Sequence, residues 1–231
     1  MPSVLRLHQG VVCILVLFMV LELGVALWEG HWLTSFLIVA IMAIALAPLL
    51  FPRRMPVVIP AEFHLLAVIF IFASLFMGEV HRFYERVWWW DMALHGGSGL
   101  LLGIFGFLMV YVLNENERVN LHLRPGFMAL FAFLFALAAG ALWEIFEFGM
   151  DRLFGMNMQK PMLGDPSGLT DTMWDLILDA LGALVISLLG WWYMKQRLPS
   201  FIEAWIRKFI ASNPRLFRSR RRGSPRPKGM P

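Results

Sequence analysis

Residues 126–149 read GFMALFAFLFALAAGALWEIFEFG. Nothing is charged from Gly126 to Trp143, and Glu144 and Glu147 then follow on one helix face. A bilayer core of about 30 Å takes about 20 helical residues, and within lipid a lone segment satisfies its own backbone only as a helix. This stretch is therefore a membrane span that ends in carboxylates.

Comparable runs lie at 10–28, 33–51, 61–80, 91–113 and 173–194. With 126–149 they predict an all-α fold, a polytopic membrane bundle of six transmembrane helices. The composition agrees. The chain has 231 residues, 59% hydrophobic and 16% charged, against about 45–50% and about 25% in soluble domains. Mean hydropathy is +0.66, and a water-soluble globule is excluded. The first run is too long for the apolar part of a signal peptide and has no small-residue cleavage site after Trp28, so it reads as an uncleaved span. Cys13 is the lone cysteine, which excludes a disulfide framework and a thiolate metal site. Pro60 and Pro125 stand at helix starts, where proline is tolerated.

The net charge of +4 conceals a division: residues 1–195 sum to −5 and residues 196–231 to +9. Arg6, Arg53, Arg54, Arg118, Arg124 and the residues from Lys195 onward hold most of the basic charge, and the positive-inside rule places them in the cytoplasm. Both termini are then cytoplasmic. Residues 1–195 form the transmembrane domain, and 196–231 a cytoplasmic amphipathic helix followed by a basic, disordered tail. Within the tail, Phe201, Ile202, Trp205, Ile206, Phe209 and Ile210 share a face suited to the membrane interface. Arg218, Arg220, Arg221, Arg222, Arg226 and Lys228 follow. Membrane lipids, through the anionic inner leaflet, are the expected partner; nucleic acid is the weaker alternative.

On this topology the acids gather at the outer end. Glu79, Asp91, Glu144, Glu147, Asp151, Asp165, Asp171, Asp175 and Asp179 lie there with His81 and His95. Ionisable groups in a membrane are costly and face a bundle interior or a wet cavity. Asp171, Asp175 and Asp179 recur every four residues and share a face about 12 Å long. Asp91 and His95 form an i, i+4 pair. Carboxylates at a helix start also serve as caps, which accounts for Asp91 and Asp171 but not for Glu144 or Asp179, two turns inside their helices. An outward-facing acidic/His cleft is expected.

Gly96, Gly99, Gly103 and Gly106 form a small-residue stripe, read as a helix packing seam with Ser98 as part of it. Trp88, Trp89 and Trp90 read as an interfacial anchor. Glu62 and His64 are expected to face headgroups. In Gly164-Asp165-Pro166-Ser167-Gly168 the turn signal is strong, with Asp165 at the mouth of the cleft.

In order, Gly78-Glu79 with Tyr84, Trp90-Asp91 through His95 to Gly99, Trp143-Glu144 with Glu147, Gly164-Asp165, Asp171-Thr172, Asp175 and Asp179-x-x-Gly182 resemble the YjdF-like bacterial inner-membrane proteins, a family of unknown function. The similarity covers about residues 60–195. A more distant likeness is to VanZ-like membrane proteins, in which an Asn stands where this chain has Asp179. The resemblance implies a multi-pass protein of the bacterial inner membrane and implies no activity.

Three functional classes fit the residues. The first is a metal-dependent membrane hydrolase or transferase acting on a lipid or envelope substrate. Asp91, His95, Glu144, Asp175 and Asp179 are its candidate ligands for Mg²⁺, Mn²⁺ or Zn²⁺. Glu147 and His95 are its candidate catalytic groups, and Glu79, Asp165 and Asp171 lie nearby in the sequence scheme. The second is a cation- or proton-coupled transporter or permease, although no internal repeat is visible. The third is a non-catalytic scaffold or accessory protein held together by a polar network.

Overall fold

The computed structural model describes residues 2–51, 60–115, 122–196 and 201–214. Helices α1 (Pro2–Trp28) and α2 (Trp32–Leu50) form a hairpin against α3 (Ala61–Ile71) and the π-helical segment Phe72–Val80 that continues it. The short α4 (Phe83–Arg86) follows. The long helices α5 (Trp90–Glu115), α6 (Pro125–Phe154) and α7 (Leu169–Gln196) then pack pairwise into a tight trio, and α8 (Phe201–Ser212) closes the described chain. Among the described residues five helices are long and apolar enough to cross a membrane, and Trp32–Ala47 is a shorter apolar helix. The chain is an integral membrane helical bundle.

The surface supports this assignment. Leu17, Phe18, Leu142, Ile145, Leu181 and Leu188 are exposed, while His64, His95, Glu144, Asp171, Asp175 and Asp179 are buried. Such a molecule would aggregate in water, because exposed apolar area is what the hydrophobic effect removes. In lipid, where association rests on close packing and polar contacts, the same distribution is favourable.

Small residues set the approach of the trio. A Cβ on Gly99 would lie 2.2 Å from the Asp179 carbonyl oxygen, and one on Gly182 would lie 2.4 Å from the Gly96 carbonyl oxygen, so α5 and α7 touch backbone to backbone. Gly103 meets Ile186 and Ala183 of α7, while Gly106 meets Phe135 and Ala132 of α6. The predicted glycine seam is present, with one exception: Gly96 has nothing within 4 Å of where its Cβ would stand. At the opposite end from the acids, Phe107, Met128 and Ala132 form a buried cluster that Ile210 of α8 joins. Lys208 of α8 pairs with Glu62. The tail beyond residue 214, with its arginines, lies outside the described residues.

Several boundaries and contacts differ from expectation. The third span is α-helical only to Ile71; its last nine residues, Phe72–Val80, are π-helical. π segments are rare and mark irregular packing. Here the Ala73 carbonyl also accepts a hydrogen bond from the Trp90 indole, 3.2 Å away, so Trp90 joins two elements in addition to lying beside the exposed Trp88 and Trp89. His64 is buried and its Nε2 contacts the Ala45 carbonyl at 3.0 Å, which holds α3 to α2 instead of facing headgroups. The fifth span runs five residues further than 149, to Phe154, and stops where Gly155 takes φ of 65°, a left-handed position suited to glycine.

Candidate metal centre

Asp91 lies in the first turn of α5, where a carboxylate is favoured, and His95 follows one turn later on the same face. The Gly99–Gly182 contact draws α7 alongside, bringing Asp171, Asp175 and Asp179 onto that face. All three are buried. From α6 come Glu144 and Glu147, also buried. Gly140 makes the room: a Cβ there would stand 2.3 Å from Asp179 Oδ2.

The cluster centres on the His95 ring. Its Nε2 lies 3.6 Å from Asp91 Oδ1, 3.8 Å from Glu144 Oε1 and 3.8 Å from Asp175 Oδ2. On the other side of the ring, Nδ1 lies 3.3 Å from Asp179 Oδ2. The Ser98 hydroxyl donates to the second oxygen of Asp179, and also contacts the His95 carbonyl at 2.8 Å. One ligand atom each from Asp91, His95 and Asp175 falls within 4.8 Å of the others. Metal–ligand bonds of 2.0–2.2 Å give a tetrahedral edge of about 3.4 Å, so an ion would need inward shifts of a few tenths of an ångström along the two His95 edges and a closure of up to about 1.4 Å between Asp91 and Asp175. Asp179 stands apart from this set, on the opposite ring nitrogen.

Both oxygens of Asp175 and both of Glu144 are buried with no hydrogen bond of ordinary geometry, although the Thr172 hydroxyl lies beside Glu144. An unpaired buried carboxylate costs several kcal/mol, and here two stand together facing one imidazole. Glu147 differs, since one of its oxygens accepts the Trp143 indole N–H at 3.0 Å.

Loop residues close the end of the bundle. Asp151 accepts the backbone N–H groups of Met158 and Gln159 at 2.7 and 2.9 Å, and Asp171 accepts that of Lys160 at 2.6 Å. These bonds set Lys160 at the edge of a cavity of about 510 Å³, well within the range of small-molecule sites. The cavity is a slot between α3 with its π segment and α6, floored by α5. Its polar end holds Glu79, Tyr84, Asp91, His95, Glu147 and Lys160. Phe70, Ile71, Leu75, Leu101 and Leu102 line the rest. Burial first, and then the carboxylates of Asp91 and Glu79, push the Tyr84 phenol above its usual pKa, so it is a neutral donor there.

Of the residues singled out from sequence, Asp91, His95, Glu144, Asp175 and Asp179 meet in one cluster, with Glu147 and Asp171 adjoining it. Glu79 lies on the cavity wall. Asp165 does not join them. Its carboxylate is absorbed by its own turn, accepting from the Ser167 N–H and hydroxyl at 2.8 and 2.6 Å and from the Thr170 N–H and hydroxyl at 3.0 and 2.8 Å. Those bonds, the Ser167 hydroxyl foremost, hold Asp165 below the usual carboxylate range. Ser98, read as packing, is a hydrogen-bond donor to the cluster. Lys160 and Gly140 had no signal of their own in the sequence, because each matters only through a contact made in three dimensions, and Trp143 stood out only within the family pattern.

The pattern of the family described as predicted membrane protein (DUF2238) matches residues 7–196. An uncharacterized protein of Thermotoga maritima is 34% identical over 130 residues, which is 56% of this chain and 62% of that protein. The chain thus spans less than two thirds of that relative's length. No solved structure matches. The family match includes every residue of the cluster, and this chain belongs to the predicted membrane protein family DUF2238.

Proposed function

We propose that Asp91, His95 and Asp175 hold a divalent cation, with Glu144 as a further ligand within reach. On this reading the protein is a metal-dependent hydrolase or transferase of the bacterial inner membrane, acting on a lipid or envelope substrate. One observation carries it: Asp175, 0% exposed and without a hydrogen bond, presents an oxygen 3.8 Å from His95 Nε2, inside a set of ligand atoms no more than 4.8 Å apart. A cation resolves what is otherwise an uncompensated burial of like charges. An imidazole among carboxylates suits Zn²⁺ or Mn²⁺ better than Mg²⁺.

The remaining groups then have roles. Asp179, bonded to His95 Nδ1 and supported by Ser98, orients the ring as carboxylates behind metal-bound histidines do. A bound ion lowers the pKa of its water toward about 7. Glu147, steadied at one oxygen by Trp143, is the general base for that water. Arg124 at the start of α6 and Lys195 at the end of α7, at the other end of these helices from the acids, support an outward-facing site by the positive-inside rule. Asp175 sits about two turns from the start of α7, which suits chemistry at one membrane face better than passage through it.

Metal analysis of the purified protein after loading with Zn²⁺ or Mn²⁺ tests the reading. About one ion per chain is expected, lost in Asp175→Asn and retained in Asp165→Asn. A wild-type protein that retains no ion after exposure to either metal overturns it.

A further inference from the structure

Resting on that metal reading, we infer that the slot between α3 and α6 binds a phosphate-bearing lipid, with one chain along the apolar wall and the phosphate between the cation and Lys160. The cavity has the right division of character. Its apolar part, lined by Phe70, Ile71, Leu75, Leu101 and Leu102, runs directly into the end that holds His95, Lys160 and the carboxylates of Glu79, Asp91, Glu147 and Asp179. A ligand matching that surface has a long apolar body and one compact polar head.

The charge of the head follows from Lys160 together with the proposed ion, the two positive groups set among the carboxylates of Glu79, Asp91, Glu147 and Asp179. Among the described residues Lys160 makes no ion pair, although Glu79 and Asp91 are close enough to act on it and it acts on them. Its Nζ donates to the Asn157 carbonyl at 2.5 Å and stands 5.8 Å above the Tyr84 ring. An ammonium has three donors, so two remain for an incoming anion. The backbone N–H of the same residue is fixed by Asp171, which keeps the side chain at the cavity edge. A cationic amphiphile would meet both Lys160 and the bound ion. A phosphate meets two positive groups, and a bound divalent ion acts as a Lewis acid toward a phosphoryl oxygen. Entry from the side suits a membrane lipid, because exposed Ala67 of α3 and half-buried Ala139 of α6 flank the slot with small side chains.

Binding of a fluorescent single-chain lipid phosphate to the full-length protein in nanodiscs, in the presence of Mn²⁺, tests this. Competition is measured with inorganic phosphate, with the corresponding alcohol and with an alkylammonium of equal chain length. The lipid phosphate is expected to bind in a metal-dependent manner and to be displaced poorly by all three competitors. Lys160→Met is expected to weaken binding about tenfold or more, the scale of a charge-assisted hydrogen bond, with metal content unchanged. Ala139→Leu, which narrows the slot, is expected to weaken the lipid phosphate and leave metal content intact. Equal affinity for inorganic phosphate, for the alcohol or for the alkylammonium overturns the inference. So does wild-type affinity in Lys160→Met. Metal content separates the two proposals: an ion without lipid-phosphate binding overturns this inference alone, whereas absence of the ion overturns the reading beneath it.

Discussion

Adding one methyl group at Gly99 is expected to dismantle the centre, whereas adding it three residues earlier is not. The Gly99→Ala Cβ would stand 2.2 Å from the Asp179 carbonyl oxygen and 2.8 Å from its Cα, against 3.4 Å for ordinary contact, so the backbones must part by about 1.2 Å. Moved by that amount, Asp175 Oδ2 goes from 3.8 Å to about 5 Å from His95 Nε2. Two atoms bonded to one ion at 2.0–2.2 Å can be at most about 4.4 Å apart, so both cannot remain ligands. Overpacking costs about 1–3 kcal/mol, and the better helix propensity of alanine returns at most about 1 kcal/mol. The net cost is about 0–2 kcal/mol, a fall in melting temperature of up to about 8 °C for a chain of this size. Gly96→Ala meets nothing within 4 Å and is expected to be neutral or to stabilise by up to about 1 kcal/mol. Thermal unfolding in detergent with parallel metal analysis compares the two. If Gly99→Ala keeps its ion and melts with Gly96→Ala, the backbone contact does not set the geometry of the centre.

Other expectations concern the surroundings. Asp179→Asn and Ser98→Ala remove the support of His95 and are expected to weaken metal affinity by about 10–100-fold, read by chelator competition, with the bundle still folded. The Asp165 turn is pH-sensitive in a defined direction. Because the folded carboxyl titrates below its ordinary value of 3.8, its contribution is complete above the unfolded pKa and is lost as pH falls through the folded one. Proteolysis of the 155–168 loop should therefore rise in acid in the wild type, while Asp165→Asn is cut readily at neutral pH and shows little further change. Lys208→Ala removes a partly exposed pair with Glu62 and should cost no more than about 1 kcal/mol, measured by thermal unfolding. A reporter fused after Lys228 should be active only in the cytoplasm; activity outside would reverse the face to which the centre is assigned.

The bundle was legible in the sequence because membrane spans are set by length and polarity, which need no tertiary information. The same holds for the four-residue spacing of Asp171, Asp175 and Asp179, which fixes a common face whatever the partner. The pairing of that face with His95 was legible only as far as the glycine stripe implied a close neighbour. Which helix it was, and that Gly182 and Gly140 complete the approach, depended on contacts across the fold. Asp165 illustrates the opposite limit. The turn signal placed it at the mouth of the cleft, and the serine and threonine that follow it saturate its oxygens locally. The π segment was hidden because FASLFMGEV carries no proline, and its sole glycine, Gly78, matters through the Tyr84 ring packed against it.

The backbone contact between α5 and α7 has an evolutionary consequence. A side-chain contact can absorb a neighbour's change by switching rotamer, but two main chains in van der Waals contact have no such freedom, so the seam acts as a hard stop that fixes the spacing of Asp175 and Asp179 from His95. On the proposed reading, variation in ligand preference falls to the side chains of α3 and α6 that wall the slot. One half of the molecule can diversify while the other holds its register to a fraction of an ångström.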